Sequence, residues 1–308
     1  MVWAWLAPCI CVLALLLLYL VVRTWYLRGP GLKSFLFFRP CRLVSKETLI
    51  EPAGERLAVV RFTFQLPGGA REFGVDFTAG EYVKVRAPGL LPKSRSYSPV
   101  DARPGQFDLI VKIWPPTGRV GVSSYLSSLR IGDAAYISGP FPPPLMRIKR
   151  CAGKRVGFIA YGVGITEALA VARAEVQRRG ETVLLWAVRD RSELYAEREL
   201  KQLQDAGLRV EYHFSREGSG AKTRRLDAQR LKEVFPWTDG APEEQRFLAV
   251  GTKAMKRATY RMLSEAGIPW APLLRKAFGP RAPGADVSGG GSGGGQDAHG
   301  HCQERAAA

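Results

Sequence analysis

Histidine is nearly absent from this chain, which has only His213, His299 and His301 among its 308 residues. A Ser-His-Asp hydrolase needs a positioned imidazole as its general base, and many catalytic zinc sites use several imidazole ligands. Two of the three histidines lie in a Gly/Ser-rich tail. The composition therefore argues against both classes of enzyme, and we assign no residue to a metal.

Cysteine is also scarce and shows no pairing pattern. Two cysteines, Cys9 and Cys11, lie in the apolar N-terminus, and the other three, Cys41, Cys151 and Cys302, are far apart without metal-ligand spacing. A secreted, disulfide-stabilised protein would show a denser framework of cysteines. We therefore expect a reducing compartment.

Acidic residues are outnumbered, with 28 Asp and Glu against 45 Lys and Arg, which gives a formal net charge of +17. The basic residues are spread along the whole chain and are not clustered, which does not favour a nucleic-acid partner. The excess suits anionic cofactors, an anionic membrane surface or an acidic protein partner.

The N-terminus contains the longest stretch without a charge, residues 2–22. As a helix it would span about 30 Å, the thickness of the hydrocarbon core of a bilayer. No basic residue precedes it, while Arg23 and Arg28 follow, so the positive-inside rule leaves the rest of the chain in the cytosol. We predict a transmembrane signal anchor over residues 1–27 and a linker over 28–37; a cleaved signal peptide is the alternative.

Residues 38–150 predict the first domain. Short β-type runs alternate with Pro- and Gly-rich breaks, and a single short helical stretch interrupts them, which favours an antiparallel barrel or sandwich. The predicted strands are 57–65, 82–85, 107–114 and 136–138, and the predicted helix is 123–129.

Residues 151–279 predict a second domain of a different class. Strands alternate here with helices, which indicates an α/β fold with a parallel sheet. The predicted strands are 155–160, 182–188, 210–214 and 247–250, and the predicted helices are 167–179, 192–206, 227–235 and 253–266. The remaining residues, 280–308, contain GGGSGGG and predict a disordered tail.

The sequence Arg95-Ser96-Tyr97-Ser98 is the first candidate site. Residues two apart on an extended segment share a face, so Arg95 and Tyr97 point the same way. A guanidinium binds phosphate in a planar fork, and a phenol ring covers a flat heterocycle. A polar surface loop is the alternative interpretation of these four residues.

Two glycine turns follow predicted strands of the second domain, Gly162-x-Gly164 and Gly251-Thr252. Ligands of open parallel sheets bind beyond the carboxyl ends of the strands, where glycine lets the backbone approach a phosphate. We expect the two turns to face one cleft. An ordinary strand–helix turn with positive φ is the alternative for the first.

Two further segments are candidate phosphate sites. Ser215-Arg216 ends a predicted strand and fits an adenosine 2′-phosphate, which would favour NADPH; a solvated basic loop is the alternative. Ser123 or Ser124 caps the helix that follows Gly121, and its N–H groups fit a pyrophosphate; an ordinary N-cap is the alternative.

Taken in order, these motifs resemble the ferredoxin–NADP reductase superfamily, and most closely its NADH–cytochrome b5 reductase branch. The similarity covers about residues 38–279. It rests on the motifs Arg95-Ser96-Tyr97-Ser98, Ile110-Val111-Lys112-Ile113-Trp114, Ser123-Ser124-Tyr125-Leu126, Gly139-Pro140 and Gly162-Val163-Gly164-Ile165-Thr166.

The resemblance implies an FAD-binding β-barrel over 38–150 and an NAD(P)-binding domain over 151–279. It places Ser98, Lys112 and Thr166 closest to the chemistry. It assigns the cofactor contacts to Arg95, Ser96, Tyr97, Ser98, Ile110, Lys112, Trp114, Gly121, Val122, Ser123, Ser124, Gly162, Val163, Gly164, Ile165, Thr166, Ser215, Arg216, Gly251, Thr252 and Met255.

Three positions depart from the family pattern. Glu167 stands where the family has proline, Pro142 where it has glycine, and Val250 where it has a cysteine near the site of hydride transfer. A hydride moves directly between cofactor rings and depends more on alignment than on a thiol. We therefore expect slower or altered transfer at Val250.

The resemblance implies a membrane-anchored oxidoreductase that takes hydride from NADH or NADPH with FAD. Electrons would then pass to an acidic haem protein such as cytochrome b5. The alternatives are a membrane scaffold that keeps the fold without activity, and a reductase for another acceptor, such as a quinone or a desaturase partner. The endoplasmic reticulum and the mitochondrial outer membrane fit equally well.

Overall fold

The structure is a computed structural model that describes most of residues 34–275 and a short N-terminal helix. The described residues are 12–20, 34–67, 81–89, 93–103, 105–115, 121–141, 149–150, 154–178, 180–216 and 225–275. The predicted linker lies mostly outside these ranges, and both the predicted tail and Pro142 lie wholly outside them.

Residues 12–20 form helix α1 within the predicted transmembrane segment. The rest of that segment lies outside the described residues. In the part of the chain that the structure describes, none of the helices has the length and apolar character needed to cross a membrane.

Among its described residues, the first domain forms a seven-stranded antiparallel sheet and one short helix. Its elements are β1 (Ser34–Ile50), β2 (Val59–Gln65), β3 (Tyr82–Arg86), β4 (Ser94–Tyr97), β5 (Asp101–Arg103), β6 (Gln106–Lys112), α2 (Val122–Ser128) and β7 (Ala134–Phe141). The strand order is β4-β3-β7-β1-β2-β6-β5. This confirms an antiparallel sheet, and closure into a barrel stays a prediction.

Strand β2 is buried on both faces, one against the core of the first domain and the other against the second domain. Val60, Phe62 and Phe64 are buried in the core of the first domain. The alternate residues Val59 and Arg61 are also buried, but Val59 belongs to a second cluster that includes the other domain. Because successive side chains point to opposite faces, a strand covered on both sides is buried throughout.

The second domain is built on a five-stranded parallel sheet, as the alternating pattern predicts. Its elements are β8 (Lys149–Arg150), β9 (Arg155–Tyr161), α3 (Ile165–Val176), β10 (Glu181–Val188), α4 (Glu197–Asp205), β11 (Leu208–Phe214), α5 (Ala228–Val234), β12 (Gln245–Val250), α6 (Lys253–Glu265), β13 (Ala271–Pro272) and β14 (Leu274–Arg275). The sheet order is β11-β10-β9-β12-β13, and β8 pairs separately with β14.

The predicted helix over 192–206 is wrong in its first part. Arg191–Glu193 form a 3₁₀ turn, and α4 starts only at Glu197. Ala196 has φ 60°, a left-handed conformation that an α-helix cannot include. The residue before it, Tyr195, is buried and meets the Trp186 ring edge-on at 5.1 Å. Tertiary packing thus overrides the helical pattern here.

The chain order of the parallel sheet reverses between β9 and β12. The chain leaves β9 for β10 and β11 on one side, then crosses to β12 on the other. Such a switch point opens a crevice at the carboxyl ends of the strands, where ligands of α/β proteins bind. Both predicted glycine turns lie there.

The two domains share a hydrophobic cluster and a buried ion pair. First-domain Ile50, Val59, Val100 and Ile110 belong to one cluster with residues of β9, β10, α3 and α4. Arg61 Nη1 of β2 lies 2.8 Å from Glu199 Oε1 of α4. The first and second domains are therefore packed directly against each other.

Candidate functional site

The edge strand β4 presents the first predicted motif. Arg95 is opposite Val85 and Tyr97 is opposite Val83, so both predicted contacts lie on one face, as expected. Arg95 and Ser96 are exposed, whereas Tyr97 is half-buried and packs against the first-domain core. Burial raises the pKa of Tyr97 to about 12, with Arg95 opposing the rise, so the phenol stays protonated at neutral pH.

Ser98 lies at the boundary between the domains. The preceding Tyr97 packs on the first-domain core, while Val100, two residues later, belongs to the cluster shared with the second domain. Ser98 itself is half-buried. The role of Ser98 beside a flavin stays a prediction.

The start of α2 differs in detail from the prediction. The N-cap is Gly121, not Ser123 or Ser124, because Ser124 Oγ instead accepts from the Gly121 N–H and donates to the Gly121 carbonyl, both at 3.0 Å. Ser123 Oγ accepts from the Trp114 N–H at 3.2 Å. Val122 is buried in the core. The structure thus joins Trp114 to this turn, while Val122 anchors it.

Lys112, at the end of β6, faces the second domain across a small cleft. The cleft is small and partly open to solvent, and its lining residues are Ile50, Leu57, Val59, Lys112, Gly162, Val163, Glu193 and Tyr195. Lys112 Nζ lies 3.9 Å from Glu193 Oε1. Its predicted neighbour Ile110 is 3% exposed and packs into the shared cluster, so its side chain does not line this cleft.

The first glycine turn connects β9 to α3, and its binding of a nucleotide stays a prediction. Gly162 has φ +52°, a conformation that favours glycine, and its carbonyl accepts from Trp186 Nε1–H at 2.9 Å. A Cβ on Gly164 would lie only 2.8 Å from the Val250 carbonyl oxygen. Any larger residue at Gly164 would therefore push this turn away from the end of β12.

The second glycine turn lies beside the first. Gly251 is covered by Tyr161, whose ring carbon would be 3.0 Å from an added Cβ. Thr252 caps α6 by accepting from the Met255 N–H at 3.3 Å, and Met255 is exposed. The two turns are thus neighbours, and the prediction that they face one cleft stays a prediction.

Thr166 is largely buried, and its hydroxyl donates to the Val163 carbonyl at 3.1 Å. Neighbouring Ile165 is fully buried in the shared cluster. Both residues therefore shape the first turn from within. The role of Thr166 beside a flavin stays a prediction.

The departure Glu167 is on the first turn of α3. Burial raises the pKa of its carboxyl group, and the charge of Lys256 on α6 partly opposes that rise. Burial, together with the charge of Glu167, raises the pKa of Tyr260 on α6, so the carboxylate faces α6. Proline at this position would carry no charge between the two helices.

Ser215 and Arg216 follow β11 and are tied to the end of β10. Their N–H groups donate to the carbonyls of Val188 at 3.0 Å and Arg189 at 2.7 Å. The Arg216 guanidinium reaches Glu55 of the first domain, with Nη1 to Oε2 at 3.2 Å. The predicted phosphate site thus lies at a strand end and already has a carboxylate beside it.

Sequence reasoning missed three contributors to the site: Trp186, Glu193 and Glu55. Trp186 is fully buried and supports the Gly162 turn. Glu193 accepts from Arg189 Nε at 2.6 Å beside Lys112. Burial and ion pairing over long sequence separations have no local signal, although the segment 186–200 itself resembles the family.

The residues present fit a flavin and a pyridine nucleotide. An exposed guanidinium stands beside a half-buried phenol on β4, and two glycines whose Cβ atoms would clash meet at the switch point. An antiparallel domain followed by a parallel α/β domain with this arrangement defines the class of two-domain flavoprotein reductases.

Family models agree with this class. Residues 41–142 match the oxidoreductase FAD-binding domain, and residues 158–261 match the oxidoreductase NAD-binding domain. The chain is 32% identical over 242 residues to NADH-cytochrome b5 reductase 1 of Aspergillus oryzae, covering 71% of this chain and 79% of that protein. It is 30% identical over 244 residues to the protein of the same name from Pyricularia oryzae, covering 71% and 75%.

Solved structures show the same fold. The cytochrome b5 reductase domain of Ulva prolifera nitrate reductase superposes with a TM-score of 0.62 at 21% identity, over 77% of this chain and 96% of that one. The CS-b5R domains of human Ncb5or give 0.59 at 17% identity, over 78% and 70%. The chain belongs to the ferredoxin–NADP reductase superfamily, in its NADH–cytochrome b5 reductase branch. It is an NAD(P)H-dependent flavoprotein reductase with FAD as its cofactor.

Replacing Trp186 tests the support of the first glycine turn. Trp186→Phe removes the donor to the Gly162 carbonyl, and we expect a loss of about 1 kcal/mol in stability and a roughly fivefold weaker affinity for NADH or NADPH. The measurement is calorimetric nucleotide titration of the FAD-loaded protein. Trp237→Phe is the matched control, because Trp237 Nε1–H donates to Glu181 at the start of β10. Equal loss of affinity in both variants would contradict this role.

Proposed function

We propose that this chain is a membrane-anchored reductase that passes electrons from NADH or NADPH through FAD to a haem protein such as cytochrome b5. The observation that carries the proposal is the cleft at the domain boundary, where Lys112 of the first domain faces Gly162 and Val163 of the second. In this proposal the two cofactor rings meet at this boundary, because hydride transfer depends on their alignment.

The first domain supplies the flavin site in this proposal. Arg95 binds the pyrophosphate as an exposed fork of donors, and Tyr97 lies against the ring with its phenol held neutral by burial. Ser98 donates a hydrogen bond at the domain boundary. When bound there, FAD accepts a hydride and releases electrons one at a time.

The second domain supplies the nucleotide site. Backbone N–H groups after Gly162 and the N-terminus of α3 attract phosphate. Lys112 adds a cation from the other side, and Glu193 holds it in place at 3.9 Å. The turn lies so close to Val250 that only glycine fits at Gly164 without displacing it.

The valine at 250 changes the rate expected of this cleft but not its class of chemistry. Val250 is nearly buried and fills its position against Gly164. No proton or electron pair on a side chain at 250 is needed for a direct hydride shift. Family membership also favours the enzyme over a scaffold without activity.

The acceptor is inferred from charge and from the relatives. Those relatives carry the name NADH-cytochrome b5 reductase 1, and the human protein combines CS and b5R domains. A net charge of +17 accelerates association with an acidic carrier. A quinone or a desaturase partner is the alternative.

Membrane anchoring is supported by the uncharged residues 2–22. Within them, the side chains of α1 are exposed, including Leu13 at 66% and Leu15 at 65%. An apolar helix whose side chains are exposed fits a bilayer. The basic residues that follow place the reductase domains in the cytosol, at the endoplasmic reticulum or the mitochondrial outer membrane.

The flavin proposal predicts that the purified full-length protein is yellow and reduces ferricyanide with NADH or NADPH. Arg95→Ala should lose most of its FAD, with about tenfold weaker binding, because a charge-assisted contact to phosphate is removed. Arg86→Ala is the control, since Arg86 is opposite Ser94 and on the other face of the sheet. FAD content is read from absorbance after gel filtration. A colourless wild-type protein that takes up no added FAD would sink the proposal.

The membrane proposal predicts that the full chain stays in the pellet after alkaline carbonate extraction of cell membranes. Leu15→Arg with Leu18→Arg should move it to the supernatant, because each arginine at the centre of a span costs about 3 kcal/mol. Ile131→Arg, which adds an arginine at an exposed turn of the first domain, should leave the protein in the pellet. If wild type and the double variant are extracted alike, the anchor is elsewhere or absent.

A further inference from the structure

Five side chains of alternating charge cross the domain boundary in one chain of contacts. Arg216 Nη1 lies 3.2 Å from Glu55 Oε2, and the same oxygen lies 3.9 Å from Arg189 Nη1. Arg189 Nε donates to Glu193 Oε1 at 2.6 Å. That oxygen lies 3.9 Å from Lys112 Nζ in the cleft. The chain joins the predicted 2′-phosphate site to the cleft.

Glu55 belongs to a tight turn of the first domain, between β1 and β2. Ala53 and Arg56 close this turn with paired backbone hydrogen bonds of 3.0 and 2.9 Å, and Gly54 has φ +54°. The turn thereby projects Glu55 toward the second domain. Its side chain is 78% exposed, and it is not held by the core.

The two arginines lie at neighbouring strand ends. Arg189 follows β10 and Arg216 follows β11, and the backbone hydrogen bond of 2.7 Å between them fixes their spacing. Two guanidinium groups that converge on one oxygen form a site for a dianion, such as a phosphate monoester. In this protein the position between them is occupied by the carboxylate of Glu55.

We propose that Glu55 is a specificity-determining residue that competes with the 2′-phosphate of NADPH for Arg216 and Arg189. The inference rests on the nucleotide site of the proposed function. NADH carries no phosphate at this position, so its binding leaves the Glu55 contacts in place. NADPH has to displace the carboxylate, which lowers its affinity relative to NADH.

The expected change in affinity for a 2′-phosphate is small because the ion pair between Glu55 and Arg216 is exposed. Glu55 and Arg216 are 78% and 54% exposed, and ion pairs of this kind contribute little because water screens them. Removal of the carboxylate should therefore improve binding of a 2′-phosphate by about three- to fivefold. The gain should shrink as salt rises, since screening weakens both contacts.

The test is calorimetric titration of the full-length, FAD-loaded protein with 2′-AMP and with 5′-AMP, which carry one phosphate each at different positions. Glu55→Gln should bind 2′-AMP about three- to fivefold more tightly than wild type does, with 5′-AMP unchanged. Glu51→Gln removes a carboxylate from the same exposed segment and should change neither affinity. In an Arg216→Ala background, Glu55→Gln should give a smaller gain.

The contrary results distinguish a failure of the Glu55 inference from a failure of the nucleotide site. An unchanged 2′-AMP affinity in Glu55→Gln, with both ligands bound, would overturn this inference alone. An equal gain for both ligands, or the same gain in Glu51→Gln, would also overturn it, since the effect would be one of general charge. Failure of the wild-type protein to bind either ligand would contradict the nucleotide site itself.

Discussion

A single buried arginine links the two halves of this reductase. Arg61 on β2 is 8% exposed, and it contacts Glu199 of α4 at 2.8 Å and Asp108 of β6 at 3.6 Å. Both carboxylates are 1% exposed. Charges buried this deeply are tolerated only when they are paired, and removal of one partner typically costs about 3–5 kcal/mol. This contact therefore contributes to the position of the second domain, together with the shared hydrophobic cluster.

The protonation of Glu199 follows from the same contact. Burial alone would raise its pKa, but the hydrogen bond and charge of Arg61, a backbone hydrogen bond and the hydrogen bond from Arg198 together lower the pKa below its ordinary value. A carboxyl with a lowered pKa in the folded state stabilises the fold above its unfolded pKa. That contribution is lost as the pH falls through the lowered value, so the domain contact is fully formed at neutral pH.

The cleft is linked to the Arg61–Glu199 ion pair by the chain segments that carry both. Glu193 and Tyr195, which line it, immediately precede the helix that carries Glu199. Val59, on the other side, is two residues from Arg61 and paired with Lys112. The buried ion pair and the cleft are thus built from the same two segments. A change in the first alters the distance across the second.

Much of the fold can be predicted from the sequence, because hydrophobic periodicity and turn residues are local signals. The parallel strands, the two glycine turns and their meeting at the switch point follow from such signals. Strand β1 does not, since Arg39 and Pro40 interrupt its pattern and Arg39 is nevertheless buried. Proline and a buried charge are poor predictors of a strand.

The site was harder to predict wherever a role depends on a distant partner. Arg95 and Tyr97 could be paired by their spacing alone, whereas Ile110 was assigned to the cofactor and packs in the shared cluster. The partnership of Trp186 with Gly162 depends on neighbouring strands coming into register. Local sequence contains no measure of that register.

The claim that the Arg61–Glu199 contact sets the geometry of the cleft is tested most directly by the rate of flavin reduction in Glu199→Gln. This rate is followed by anaerobic stopped-flow absorbance at saturating NADH or NADPH. The account predicts a rate constant lower by about tenfold or more at unchanged FAD content, because a small misplacement across the cleft is costly. Glu47→Gln, which removes an exposed carboxylate 3.5 Å from Arg61 Nε, should keep the wild-type rate. A wild-type rate in Glu199→Gln would contradict the claim that this contact sets the cleft.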